Sequence, residues 1–163
     1  MSFYGALIAI ALVLYRESVI QKIPFWEIAD ACVMNVPIAL AIVRCANYVN
    51  GELWGRPTNQ LWGVRFDRAD HLLRHPSQLY EAFFEGVFLW LILRYMQRYN
   101  IKQGQMTAVF FLGYGTVRLC IETWFREPSY EWSTFLSTSQ ILTVLMIGCG
   151  LVMMMSRQQH IKQ

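Results

Sequence analysis

The sequence predicts an all-α, polytopic membrane protein, with about five transmembrane helices and a small extracytoplasmic loop region in a single membrane domain over residues 1–163. Three observations predict it. The chain is 55% hydrophobic and only 15% charged, with a mean hydropathy of +0.30, which is too apolar a balance for a soluble domain of this length. The apolar residues gather into runs near the roughly 20 residues that a bilayer core requires. The charges fall mostly at the ends of those runs or between them.

The first predicted helix covers residues 2–19 and is rich in Ala, Leu and Ile. Arg16 and Glu17 interrupt its end, where a long charged side chain can snorkel to the interface. The second covers 25–44, with a kink expected at Pro37 because proline removes a backbone donor and crowds the preceding turn. An outer loop region follows over 45–75. The third helix covers 76–98, and Pro76 and Ser77 suit its first turn. The fourth covers 105–124 and the fifth 137–155.

The basic residues set an orientation. Arg16 with Lys22, Arg94 with Arg98 and Lys102, and Arg157 with Lys162 fall on one side of a five-helix topology. The positive-inside rule makes that side cytoplasmic, with the N-terminus outside and the C-terminus inside. All three lysines lie there. The basic residues of the outer side are arginines: Arg44, Arg56, Arg65, Arg68, Arg74, Arg118 and Arg126. Lysine acts as a point charge, whereas arginine offers a planar fork for phosphate or carboxylate. An outward-facing anion site is one reading of this split; the length of the outer loop is the other.

Other classes fit less well. A net charge of +3 and no basic cluster interleaved with aromatics argue against nucleic acid. Cys32, Cys45, Cys120 and Cys149 are widely spaced, mostly in apolar runs, and read as small apolar fillers. No basic region or small-residue cleavage site marks a signal peptide.

Three constellations carry chemistry. In Arg44-Cys45-Ala46-Asn47-Tyr48-Val49-Asn50-Gly51-Glu52-Leu53-Trp54-Gly55, an arginine at the membrane edge needs a partner. Glu52 or an anionic ligand would serve, Asn47 and Asn50 can donate to ester or phosphate oxygens, and Gly51 and Gly55 allow a sharp turn or close approach. Arg118, Glu122 and Arg126 are spaced four apart and fall on one helix face. They read either as a ligand site or as a structural ion pair, and spacing does not separate the two. In Arg74-His75-Pro76-Ser77-Gln78-Leu79-Tyr80-Glu81, followed by Glu85, the two glutamates share a face. His71 and His75 are also four apart, but Pro76 breaks the regular helix that a shared zinc would need.

On these residues the chain resembles the prolipoprotein diacylglyceryl transferase family, whose signature reads roughly Gly-Arg-x-Gly-Asn-Phe-x-Asn-x-Glu-x-x-Gly. The polar positions Arg44, Asn47, Asn50 and Glu52 all match, with Val43 and Ala46 in place of its first two glycines. The block Arg74 to Glu81, then Gly113-Tyr114-Gly115, Arg118, Glu122, Phe125-Arg126-Glu127-Pro128 and Gln140-Ile141-Leu142, match in order. The resemblance implies a bacterial inner-membrane enzyme that moves a diacylglyceryl group from phosphatidylglycerol to the lipobox cysteine of a prolipoprotein, the first step of lipoprotein maturation. It implies no metal or organic cofactor. It implies Arg44 and Arg118 on the donor phosphate, with Asn47, Asn50 and Gly55 around the glycerol head. Glu52 and Glu122 would hold the arginines, Arg126 would add to the binding site, and His75 or Tyr4 would act near the thiol. Two departures stand out. Family members usually carry two further helices upstream, and they have histidine where this chain has Tyr4. A non-catalytic phosphatidylglycerol-binding remnant of the family is the alternative; an unrelated transporter or channel-like bundle is weighed against it and disfavoured by the outer clustering of charge.

Overall fold

The computed structural model describes residues 3–99, 101–126 and 137–159, with the side chains of 3–8, 138 and 157–159 also left aside. Glu127, Pro128 and Lys162, and the side chains of Tyr4 and Arg157, therefore lie outside the described residues. The described chain is helical, with three isolated antiparallel bridges in its loops and no strand.

Helix α1 (Phe3–Gln21) ends at Lys22, whose φ is +57°, and Ser18 closes the turn by donating to the Ile23 carbonyl at 2.7 Å. The helix expected over 25–44 is two helices, α2 (Phe25–Val33) and α3 (Val36–Val49), parted at Met34 and Asn35. Pro37 explains the break. Its ring crowds the carbonyl four residues back, at Val33, where α2 stops, and it sits in the first turn of α3, where its missing N–H has no partner to lose. Helix α3 then runs past residue 44 to Val49. Asn47, expected in the loop, is therefore a helical residue, as Arg44 is.

The third expected helix is also interrupted. It is α4 (Ser77–Glu81), a π segment (Ala82–Phe88) and α5 (Leu89–Met96). A π segment widens the helix and is commonly found at functional sites. Here it packs along α3. A Cβ at Gly86 would lie 2.5 Å from the Ala41 Cβ, so only glycine lets the two backbones come this close. Helix α6 (Gln105–Trp124) matches its prediction, and α7 (Thr138–Gln159) runs slightly beyond its own. α6 makes its most extensive contact with α7, and α1 leans on α2.

The apolar core joins α2, α5 and α6 through Val33, Met34, Leu89, Leu93, Met106 and Phe110. Near it, Asp30 on α2 accepts from the Gly104 and Thr107 amides at 2.6 and 2.8 Å. It thereby supplies from another helix the cap that the α6 N-terminus lacks. Outside the core, α1, the 83–91 stretch and α7 expose Ile10, Leu12, Phe83, Phe84, Leu91, Leu145 and Val152. Among the described residues, two stretches, Phe25–Val49 and Ser139–Ser156, are long and apolar enough to cross a membrane.

Candidate functional site

The polar face of the 77–88 stretch turns inward. Ser77, Gln78, Glu81 and Glu85 are each at most 1% exposed, which is unusual burial for carboxylates unless they are paired. Three arginines from three parts of the chain meet them. Arg118 on α6 donates through Nη1 to Glu81 Oε1 at 2.8 Å, and Arg126 Nη1 donates to the same oxygen at 3.0 Å. Arg44 on α3 places Nε 2.8 Å from Glu81 Oε2. That contact lacks hydrogen-bond alignment, so we read it as charge pairing. Glu81 is thus the common counter-ion of all three guanidinium groups. Glu85 stands further off, 3.9 Å from Arg44 Nη2 and 3.7 Å from Arg118 Nη1.

Glu122 is held from the other side. Ser137 and Ser139, at the start of α7, donate to its two oxygens at 2.5 and 2.7 Å, and Arg118 Nε lies 3.9 Å away. The start of α7 is in this way tied to the arginine cluster through α6.

The loop beyond α3 closes over this end of the helices. Gly51 (φ +65°) and Leu53 (φ +58°) reverse the chain. Gly55 then lies between two backbones: its amide donates to the His75 carbonyl at 2.9 Å, and the Arg56 amide donates to the Phe125 carbonyl at 2.8 Å. A Cβ on Gly55 would run into the Phe125 carbonyl and stand 2.7 Å from that of His75. The close approach that Gly55 permits is therefore to the protein's own backbone. Buried Arg74 fastens the same crossing, pairing with both oxygens of Asp70 at 2.7 and 2.8 Å and donating to the Gly55 carbonyl at 2.9 Å. Arg74 holds the Asp70 carboxyl below its usual range by hydrogen bond and charge.

Several expected residues come together and others do not. Arg44, Arg118, Arg126 and Glu122 share one site, although α6 ends at Trp124 and the single helix face expected for Arg118, Glu122 and Arg126 is broken before Arg126. Arg126 reaches the site from a bridge to Gly55. Glu52, expected beside Arg44, is half-exposed and faces Arg68 at 3.8 Å; the reversal at Gly51 carries it away. Asn50 lines an open cavity of about 420 Å³ with Tyr48, Arg65, Phe66 and Arg68, while Asn47 sits half-buried on the last turns of α3. His75 packs edge-on against Phe125, with Nδ1 3.3 Å from the Tyr80 hydroxyl. Burial pushes its imidazole below the ordinary range. His71 is exposed. Tyr4 lies in the first turn of α1. An apolar cavity of about 440 Å³, lined by Trp62, Pro76, Leu79, Tyr80, Phe84, Ile121 and Phe125, opens beside the His75–Tyr80 pair.

The sequence gives Glu81, the hub, and Glu85 a shared helix face but no role in the site. The available signal was the pair of carboxylates four apart inside an apolar run, since ionisable residues at membrane depth are functional candidates by default.

The comparisons agree with the motifs. A family model described as prolipoprotein diacylglyceryl transferase matches residues 1–156. Relatives named phosphatidylglycerol–prolipoprotein diacylglyceryl transferase include those of Pasteurella multocida, 40% identical over 98% of this chain and 60% of the relative, and of Pseudoalteromonas translucida, 40% identical over 93% and 57%. That of Chlorobaculum tepidum is 40% identical over 98% and 56%. The chain spans under two thirds of the length of these relatives. With the family model covering nearly all of its residues, the chain belongs to the prolipoprotein diacylglyceryl transferase family.

Proposed function

We propose that this chain transfers a diacylglyceryl group from phosphatidylglycerol to the lipobox cysteine thiol of prolipoproteins, as a multi-pass protein of the bacterial inner membrane. The observation that carries the reading is the convergence of Arg44, Arg118 and Arg126 on Glu81, in a site walled by apolar helices. In the reaction the cysteine sulfur forms a thioether bond to the glyceryl carbon, the carbon–oxygen bond to phosphate breaks, and glycerol phosphate leaves with the electron pair. The thiol gives up its proton to a base. Preorganised guanidinium groups facing the departing phosphate would stabilise its developing charge, usually the largest catalytic contribution. Glu81 fixes their positions in advance, so little reorganisation accompanies the step.

A cysteine thiol has a pKa of about 8.5 and is mostly protonated at neutral pH. His75, kept uncharged by burial, is the candidate acceptor, and the apolar cavity beside it suits an acyl chain or the apolar lipobox residues. The five-span topology with the arginine cluster on the outer side is part of this proposal. It is supported by the shared end of the α3 C-terminus, the α4 N-terminus and the α6 C-terminus, and by the exposed apolar surfaces of α1 and α7. Cofactor chemistry is not called for by the bonds made and broken.

The second reading is a phosphatidylglycerol-binding member without transfer activity, and Tyr4 in place of histidine favours it. A phenol, with a pKa near 10, is a poor base at neutral pH. The test is transfer of labelled diacylglyceryl to a lipobox peptide in membranes, by the chain as given and by Tyr4→His. Transfer by the chain as given supports the enzyme. Transfer only by Tyr4→His means that activity was lost at that residue. Silence from both, with phosphatidylglycerol still bound, decides for the second reading.

A further inference from the structure

The arginine cluster holds two carboxylates in different ways. Glu81 is contacted at 2.8–3.0 Å by all three guanidinium groups. Glu85 is fully buried, yet its nearest cations stand 3.7 and 3.9 Å away. Among the described residues neither Glu85 oxygen has a hydrogen-bond partner. A buried carboxylate held by field alone is an expensive arrangement. Glu81 and Glu85 are therefore not equivalent: one fixes the arginines, and the other faces the Arg44 Nη2 that Glu81 leaves open and stands, at longer range, before the Arg118 Nη1 that Glu81 already holds.

We propose that Glu85 is the exchangeable counter-ion of this cluster: an anionic lipid headgroup competes with it for Arg44 and Arg118, and the charge of Glu85 makes the site prefer singly over doubly charged phosphate. This rests on the donor reading above and adds to it a specificity-determining residue. The charge count supports it. Three guanidinium groups (Arg44, Arg118, Arg126) face three carboxylates (Glu81, Glu85, Glu122), so with all six ionised the cluster carries no net charge. A phosphodiester adds one negative charge beside Glu85, and a phosphomonoester adds two, doubling the repulsion in a poorly screened interior. A dianionic headgroup is disfavoured on entry, and a dianionic leaving phosphate is helped on its way out. The groups facing Glu85 are Arg44 from α3, Glu81 from α4, Tyr114 and Arg118 from α6, and Arg126 beyond it.

The test is competition between phosphatidylglycerol and phosphatidic acid for the full chain in phosphatidylcholine nanodiscs. The wild type should favour phosphatidylglycerol. Glu85→Gln should bind both lipids more tightly and gain most for phosphatidic acid, shifting the ratio by about tenfold, or roughly 1.4 kcal/mol. Glu81→Gln should weaken both. A further arm uses the wild type alone. A phosphomonoester takes its second charge near pH 6, so phosphatidic acid should lose ground to phosphatidylglycerol between about pH 5.5 and 7.5. A lipid ratio unchanged in Glu85→Gln, or unchanged with pH in the wild type, overturns the assignment while leaving the donor reading intact. Failure to bind either anionic lipid overturns both.

Discussion

Arg118 and Glu81, on helices α6 and α4, share a 2.8 Å charge-assisted hydrogen bond at a carboxylate that is 1% exposed. Arg126 uses the same oxygen, and Arg44 faces the other. Removing one member of a buried ion group leaves its partners uncompensated, which costs about 3–5 kcal/mol. We expect Glu81→Gln to destabilise the protein on that scale, because three guanidinium groups lose their common anion and Glu85 is too distant to replace it. Thermal unfolding in detergent measures this. A loss below about 1 kcal/mol would show that Glu81 is not the hub.

Arg118→Lys separates charge from shape. Lysine keeps the positive charge but cannot reach Glu81, Glu85 and a ligand phosphate at once, as a planar fork does. If the donor phosphate is bound here, transfer should fall by about a hundredfold or more, in the range seen when one preorganised donor is lost, while binding of phosphatidylglycerol falls much less. The measurement is single-turnover transfer alongside lipid binding. Equal losses in both would assign Arg118 to ground-state binding, and transfer within threefold of wild type would remove it from the chemistry.

Much of this arrangement is legible in the sequence, and the part that is not has physical causes. The apolar runs mark the helical stretches, although two of the five expected are divided in the structure, and Arg44, Arg118, Glu122 and Arg126 stand out as charges in apolar surroundings. Partner choice was harder to read. Glu52 is the single acidic residue of the Arg44–Gly55 motif, but the left-handed turn at Gly51 carries it away from Arg44 to Arg68. Glu81 reaches Arg44 only through the packing of α3 on the helix that Gly86 admits. A tertiary contact of this kind leaves no local periodicity. The break before Pro37 was expected as a kink, since proline at a first turn and proline inside a helix look alike without the fold.

Two glycines make opposite predictions. At Gly55 an added Cβ meets the backbone carbonyls of Phe125 and His75, which cannot move without opening the loop crossing. At Gly113 it meets Leu89 Cδ1 at 2.6 Å, the end of a side chain that can change rotamer. Gly55→Ala should therefore destabilise by about 2–3 kcal/mol, in the range of overpacking against fixed structure, and expose Arg74 to proteolysis by trypsin. Gly113→Ala should cost under about 1.5 kcal/mol. Similar losses at both positions would mean that the Gly55 crossing is more yielding than its hydrogen bonds indicate.

Acid should weaken the loop over 45–75 in two separable windows. Burial lowers the His75 pKa from its ordinary 6.5, so near that pH the unfolded chain binds a proton that the folded chain refuses. Stability from this residue is present above about pH 6.5 and declines as pH falls toward the folded-state value. Asp70 is shifted downward too, but by its pairing with Arg74, from an ordinary 3.8. As a carboxylate it stabilises above that value, and the contribution disappears as pH falls through its folded-state pKa. Both shifts make acid destabilising, yet they act at different pH. His75→Gln should flatten the unfolding midpoint between about pH 7 and 5 without changing the steeper loss below pH 4, and Asp70→Asn should reduce only the lower loss. Asp70 is exposed enough for solvent screening to keep its share small, so the His75 window is the sharper test. An unchanged fall between pH 7 and 5 in His75→Gln would assign that titration to another group and remove the support for a neutral imidazole beside the Tyr80 hydroxyl.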